Sequence, residues 1–162
     1  MKLSVPRRIS SLAVQAKLGE WMEARKLLEV ANAGLAAEKR TAEDLRALEA
    51  ALERMFDENI PTSGLRETDA EFHALIARST HNDVLTEIMR SFLDRMESWA
   101  AEAKHPAWFA AESFTKQMWR EHRDIYQAIR EQNAYLAQEK MKQHLFHVER
   151  VMLRFSGEII YR

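Results

Sequence analysis

The sequence predicts an all-α protein, and three observations carry that prediction. Glycine (4) and proline (3) are scarce among the 162 residues, and long stretches hold neither. Apolar residues recur at helical spacing along most of the chain. Helix-start and helix-stop signals punctuate those stripes at a few sites. The length implies one domain, large enough to bury a real core. With 46% hydrophobic and 30% charged residues, the composition is that of a soluble globular protein. A net charge of −1 argues against nucleic-acid binding by the domain as a whole. The absence of cysteine excludes a disulfide framework and a thiolate metal site. No secretory leader and no long apolar run is found, so a cytoplasmic chain with no membrane partner is expected.

Taken in order, Met1 to Ser11 reads as a short arm containing Pro6, Arg7 and Arg8. A first helix is predicted from about Ser11 to Glu38. One stripe of it carries Leu18, Trp21, Met22, Leu28 and Leu35, with Arg25 in its middle and Asn32 beside it. Leu27 and Val30 lie on the other side, so the helix reads as apolar on two faces, one for the core and one for a subunit interface. Thr41-Ala42-Glu43-Asp44 is a capping signal. The helix after it runs to about Asp57 with Leu45, Leu48, Leu52, Met55 and Phe56 inward. Asn59 to Gly64 reads as a loop.

A third helix, Leu65 to Ser79, puts Leu65, Phe72 and Ile76 on one side, and Asp69 and His73 fall on that same side. A fourth, Asp83 to Ala103, presents Leu85, Ile88, Met89, Phe92, Met96 and Trp99, with Arg95 at the edge of that face, and His105-Pro106 is read as its stop. A fifth, about Ala110 to Glu131, carries Phe114, Met118, Ile125 and Ile129 with His122 inside the stripe. Asn133 is a candidate cap for the last helix, about Ala134 to Ser156. Its stripe is Ala137, Met141, Leu145, Val148, Val151, Met152 and Phe155, and His144 lies within it. The domain is assigned to residues 18–156, with residues 1–17 as an N-terminal arm and 157–162 as a tail.

The six histidines sort into two groups. His81, His105 and His147 fall in a turn, before a proline and on a helix flank. His73, His122 and His144 fall inside apolar stripes of three different helices. A buried imidazole or carboxylate needs a partner, because an unpaired buried polar group costs roughly 1–3 kcal/mol. Each histidine alone is satisfied by a core hydrogen bond. Three of them with an inward Asp69 are equally well explained by one divalent ion, since imidazole and carboxylate suit zinc, nickel, manganese, cobalt or iron. On residue pattern alone both readings stand, for spacing does not show that the three helices meet.

Several stretches taken together resemble a known family. They are Glu23-Ala24-Arg25-Lys26-Leu27-Leu28-Glu29, Asp69 to His73 with Leu75-Ile76-Ala77, Asn82-Asp83-Val84-Leu85, Glu121-His122-Arg123-Asp124-Ile125 with Ala128-Ile129, and Met141-Lys142-Gln143-His144-Leu145. In this order, over residues 18 to 155, the chain resembles the C-terminal effector-binding (FCD) domain of GntR-type regulators of the FadR subfamily. The resemblance implies an antiparallel bundle of six to seven helices. It places a divalent metal, zinc first among the candidates, on Asp69, His73, His122 and His144. It implies a small carboxylate or sugar-acid effector, a homodimer, and Arg25 facing the effector carboxylate, with Arg95 a second candidate. An arginine in an apolar stripe is suited to a carboxylate's two oxygens; the competing reading of Arg25 is a structural ion pair with an acid such as Glu29.

Whole regulators of this kind carry a winged helix-turn-helix, and no basic recognition helix is found here, so direct DNA binding by this chain is not expected. The favoured function is a ligand sensor with no catalytic residues. The alternative is a metal-dependent hydrolase or lyase on the same ligands. Against it, Glu71 points away from His73, and Glu121 is at most a group behind the ligands. A plain helical dimerisation module is the third reading.

Overall fold

The computed structural model describes the backbone of residues 7–56, 62–102 and 112–158. Six helices make up these segments: α1 (Arg7–Lys39), α2 (Ala42–Phe56), α3 (Thr62–Arg78), α4 (Asp83–Glu102), α5 (Glu112–Arg130) and α6 (Ala134–Glu158). No strand is present among the described residues. The chain is an all-α helical bundle, as expected.

Most ends fall within two residues of the sequence reading, and two do not. α1 begins at Arg7, inside the segment read as an arm, because residues 7–17 hold no glycine or proline to stop the helix. α3 begins at Thr62, so the last part of the expected loop is helical, with Gly64 in the first turn. The expected stop at His105-Pro106 and the inward position of Phe155 lie outside the described residues or side chains.

The caps set the helix directions. At the start of α2 the Thr41 backbone N–H and hydroxyl both donate to Asp44 Oδ2 at 2.8 Å, and the Asp44 N–H donates back to Thr41 Oγ1 at 3.2 Å. Asn82 Oδ1 accepts from the Leu85 N–H and Asn133 Oδ1 from the Leu136 N–H, capping α4 and α6. α5 ends at Arg130 and is closed by Gln132, held at φ 56°, with the Asn133 N–H reaching back to the Ala128 carbonyl. That left-handed closure reverses the chain into α6 within three residues.

α1 is the central helix and packs against α3, α4, α5 and α6, most extensively against α6, while α2 packs on α3 and α5. α1 and α6 approach closely at Gly34, where a Cβ would stand 2.6 Å from Gln138 Nε2. The main core runs through α1, α2, α3, α5 and α6 and includes Met22, Leu48, Phe72, Ile125, Met141 and Leu145, all fully buried. Each such side chain contributes roughly 1.5–3 kcal/mol of burial. A smaller cluster, Ala77, Met89 and Leu93, joins α3 to α4.

Two residues expected inward are not. Phe56 is 57% and Ile88 44% exposed, because each follows or precedes a buried methionine by one residue and so lies about 100° round its helix. On the second face of α1, Val30 packs partly against the core and Leu27 is 73% exposed.

Candidate metal centre

Asp69 and His73 stand one turn apart on α3 because the stripe Leu65, Asp69, Phe72, His73, Ile76 keeps i, i+4 spacing. α5 brings His122 and α6 brings His144, both fully buried. One ligand atom from each of Asp69, His73, His122 and His144 lies within 4.8 Å of the other three. His122 Nε2 is 3.2 Å from His73 Nε2 and 3.3 Å from Asp69 Oδ1, and His73 Nε2 is 3.8 Å from that same oxygen. The rings of His122 and His144 are 4.3 Å apart, and the edge of Phe72 closes one side against His122 at 4.9 Å.

Two of the imidazoles are held from behind by carboxylates. His73 Nδ1 is 2.5 Å from Glu29 Oε2 on α1, and His144 Nδ1 is 2.9 Å from Glu121 Oε2 on α5. An Nδ1–H facing each carboxylate leaves the lone pair of Nε2 turned into the site. Glu29 is in turn paired with Arg25, whose Nε donates to Glu29 Oε1 at 2.5 Å, both residues being almost wholly buried. Glu121 also stands 2.8 Å from His147 Nδ1.

The electrostatics follow from burial and these pairings. Burial by itself would raise the Asp69 carboxyl; the His122 bond and the nearby His73, His122 and Arg25 outweigh it and hold it well below the usual carboxylate range. Glu29 follows the same pattern, with burial opposed by the Arg25 charge and by His73, and is lowered to about 2. Burial depresses His144 to about 3, helped by neighbouring His122, and also lowers His122 against the pull of Asp69. The centre therefore holds an ionised Asp69 carboxylate beside the neutral imidazoles of His122 and His144.

That state fits a divalent cation. Buried Asp69 Oδ1 and His144 Nε2, both on the site side, lack a well-aligned hydrogen bond, as do His73 Nδ1, His122 Nδ1 and His147 Nδ1 around it. His73 Nε2, His122 Nε2 and Asp69 Oδ1 stand 3.2 to 3.8 Å from one another, close enough for one shared cation to replace the hydrogen bonds between them. The donor set, three nitrogens and one oxygen, is suited to borderline transition ions.

The two arginines expected to meet an effector are placed differently. Arg25 is buried and engaged with Glu29, the competing arrangement considered from sequence. Arg95 is exposed on α4. A cavity of about 20 Å³ opens beside Asp69 and His122, walled by Met55, Leu65, Thr115, Met118 and Trp119, and neither arginine lines it. Glu71, weighed as a base, instead pairs with Arg54 at 2.7 Å on the outside. Sequence reasoning missed Glu29 as the partner of His73. The available signal was its place on the stripe Leu18, Met22, Arg25, Glu29, Asn32, which repeats every three or four residues.

Three helices of an all-α bundle thus bring one Asp and three His together. The FCD domain family model matches residues 20–147, and the chain belongs to that family. It is 29% identical over 157 residues to the HTH-type transcriptional regulator LutR of Bacillus subtilis, covering 97% of this chain and 72% of LutR. It is 33% identical to the Uxu operon transcriptional regulator of Escherichia coli, covering 85% of this chain and 54% of that protein. Among solved structures it resembles Streptococcus agalactiae GntR, with a TM-score of 0.65 and 25% identity over 84% of this chain and 60% of that one. The chain thus spans about half the length of several curated relatives. Those relatives are transcriptional regulators, not enzymes, and the hydrolase or lyase reading gains nothing from them. No helix among the described residues is long and apolar enough to cross a membrane.

Proposed function

We propose that this FCD domain senses a small carboxylate through a divalent ion held by Asp69, His73, His122 and His144. The observation that carries the proposal is the convergence of those four ligand atoms, two of them aimed by Glu29 and Glu121. The bound ion supplies a positive centre with coordination positions left over for an acid's oxygens. The chain's own residues do the rest. Glu29 and Glu121 fix the imidazoles, Phe72 excludes water from one side, and Arg25 adds a buried positive charge near Asp69. In this reading Arg25 favours an anionic effector through its field and through Glu29, rather than by a two-pronged contact. Arg95 takes no part. A hydroxycarboxylate is the favoured effector class, because relatives include a galactonate operon repressor and a putative L-lactate dehydrogenase operon regulator. The domain works as a homodimer within a longer regulator, where effector binding biases the DNA-reading part by preferring one arrangement of the pair.

The test is elemental analysis of the purified chain followed by calorimetry with L-lactate, galactonate and acetate, on metal-loaded and metal-stripped protein. Metal at about one ion per chain and acid binding only when loaded are expected. His122→Ala should lose the ion and the thermal stabilisation that its binding gives. Unchanged metal content in that variant would sink the assignment.

A further inference from the structure

We propose that Trp119 is the gate of the ligand chamber: a positioning residue whose indole separates the space beside Asp69 and His122 from a surface groove between α2 and α5. The proposal rests on the metal-and-carboxylate reading above and says by what route the ligand arrives.

The chamber is too small for the ligand it is assigned. Its roughly 20 Å³ has room for about one water. An organic acid therefore enters only if a wall side chain moves. Five side chains other than the two ligands form that wall. Met55 and Met118 are buried. Trp119 alone is shared with the groove outside, a space of about 470 Å³ that also meets Leu52, Phe56, Arg123 and Tyr126.

The attachments of the indole are those of a part that can swing. Its Nε1–H donates to the Leu52 carbonyl across 3.3 Å, near the long end for such a bond. Its ring packs against Phe56 at 4.8 Å, and Phe56 is itself 57% exposed. The Arg123 guanidinium lies 5.0 Å from the ring centroid. All three partners sit on the groove side, and an exposed cation–π contact is worth only about 0.5–1 kcal/mol. Turning the ring outward breaks one long hydrogen bond, gives up part of its packing on the core and joins chamber to groove. Arg123 and Arg130 line the groove together with Glu49 and Glu53, so its charge is balanced and the route is set by the indole rather than by a net field.

The experiment loads the full chain with cobalt(II) and follows its release into excess EDTA by stopped-flow absorbance. Trp119→Ala should speed release by about tenfold or more, a barrier lower by about 1.4 kcal/mol, with equilibrium cobalt affinity nearly unchanged. Trp119→Phe should fall between. Should Trp119→Ala fail to fold, the double variant Phe56→Ala/Arg123→Ala leaves the indole in place without its outer supports, and it too should release faster. Leu48→Val loosens the buried core without touching the wall and should release at the wild-type rate. Cobalt that binds but leaves equally fast from wild type and from the Trp119 or double variants overturns the gate alone. So does a Leu48→Val variant as fast as Trp119→Ala, which assigns release to general loosening. A wild-type chain that takes up no cobalt overturns the metal reading itself and the gate with it.

Discussion

The carboxylates behind His73 and His144 do the same task in opposite surroundings. Glu29 is 2% exposed, and its counter-charge, Arg25, sits one turn away on the same helix, equally buried. Glu121 keeps 18% of its side chain in solvent, lies next to His122 in the chain, and divides its oxygens between His144 and His147. The first is a closed chain, Arg25 to Glu29 to His73, with every charge desolvated. The second is an open junction that water can partly satisfy. A buried ion pair contributes little net stability when intact but is costly to break, whereas one that water partly reaches costs less to break. The centre therefore has a rigid half anchored on α1 and α3 and a soft half on α5 and α6.

The largest expected effect comes from breaking the rigid half. Glu29→Ala leaves the Arg25 guanidinium buried without its partner, and removal of one member of such a pair costs about 3–5 kcal/mol. Urea unfolding of the metal-stripped chain should show that loss, and Glu121→Ala should lose far less. Equal losses would mean that the two carboxylates are energetically alike and that the contrast drawn from burial is wrong.

Acid should act next, and on both halves. His144 is lowered to about 3 from an ordinary 6.5, and His122 is lowered too. The unfolded chain then takes up protons that the folded chain refuses. The stability involved is fully present above about pH 6.5 and is lost as pH falls toward 3. For His144 the loss between pH 7 and pH 5 is on the order of 2 kcal/mol. Asp69 and Glu29 are depressed carboxyls, so their contribution is present above their ordinary values of 3.8 and 4.5 and disappears only below them. Thermal melts of the stripped chain should therefore decline well before carboxylate titration begins. Metal should resist that decline at first, since it competes with protons for the same lone pairs.

The sequence was informative where a single helix decides the answer and silent where two helices must meet. Helical stripes placed Asp69, His73, His122 and His144 inward, because a residue's face follows from its position modulo 3.6 alone. The same rule put Arg25 in the middle of its stripe, and Arg25 is buried; Asn32, placed only beside the stripe, is buried too. It did not say what Arg25 touches, since Glu29 competes with any effector and only the packing of α1 on α3 decides. It did not find the Glu29–His73 contact, which joins residues far apart in the chain. Phe56 and Ile88 show the limit of the stripe: beside Met55 and Met89, one of two adjacent apolar residues must face out, and periodicity alone did not choose. The cavity and its shared wall at Trp119 depend on side-chain volumes at the junction of α2, α3 and α5, which no one-dimensional pattern records.

The smallest effect should come from Glu121→Gln, and it is the sharpest test of the soft half. The amide oxygen of glutamine can still accept the Nδ1–H of His144, so the tautomer that presents Nε2 to the ion survives. What is lost is the negative charge, which makes the imidazole a better donor to a cation. Changes behind a metal-bound histidine typically cost 10–100-fold in affinity, and with the tautomer kept the loss should lie near the lower end, about tenfold. Because Glu121 is partly solvated and has no buried counter-charge, unfolding of the stripped chain should shift by less than about 1 kcal/mol. Competition with a chelator of known strength measures the first quantity and urea unfolding the second. Glu29→Gln should instead move both, since the neutral amide leaves Arg25 under-compensated while still accepting from His73. If Glu121→Gln destabilises the stripped chain as much as Glu29→Gln does, the soft half is not soft, and Glu121 is a structural member of the core rather than an adjustable support for His144.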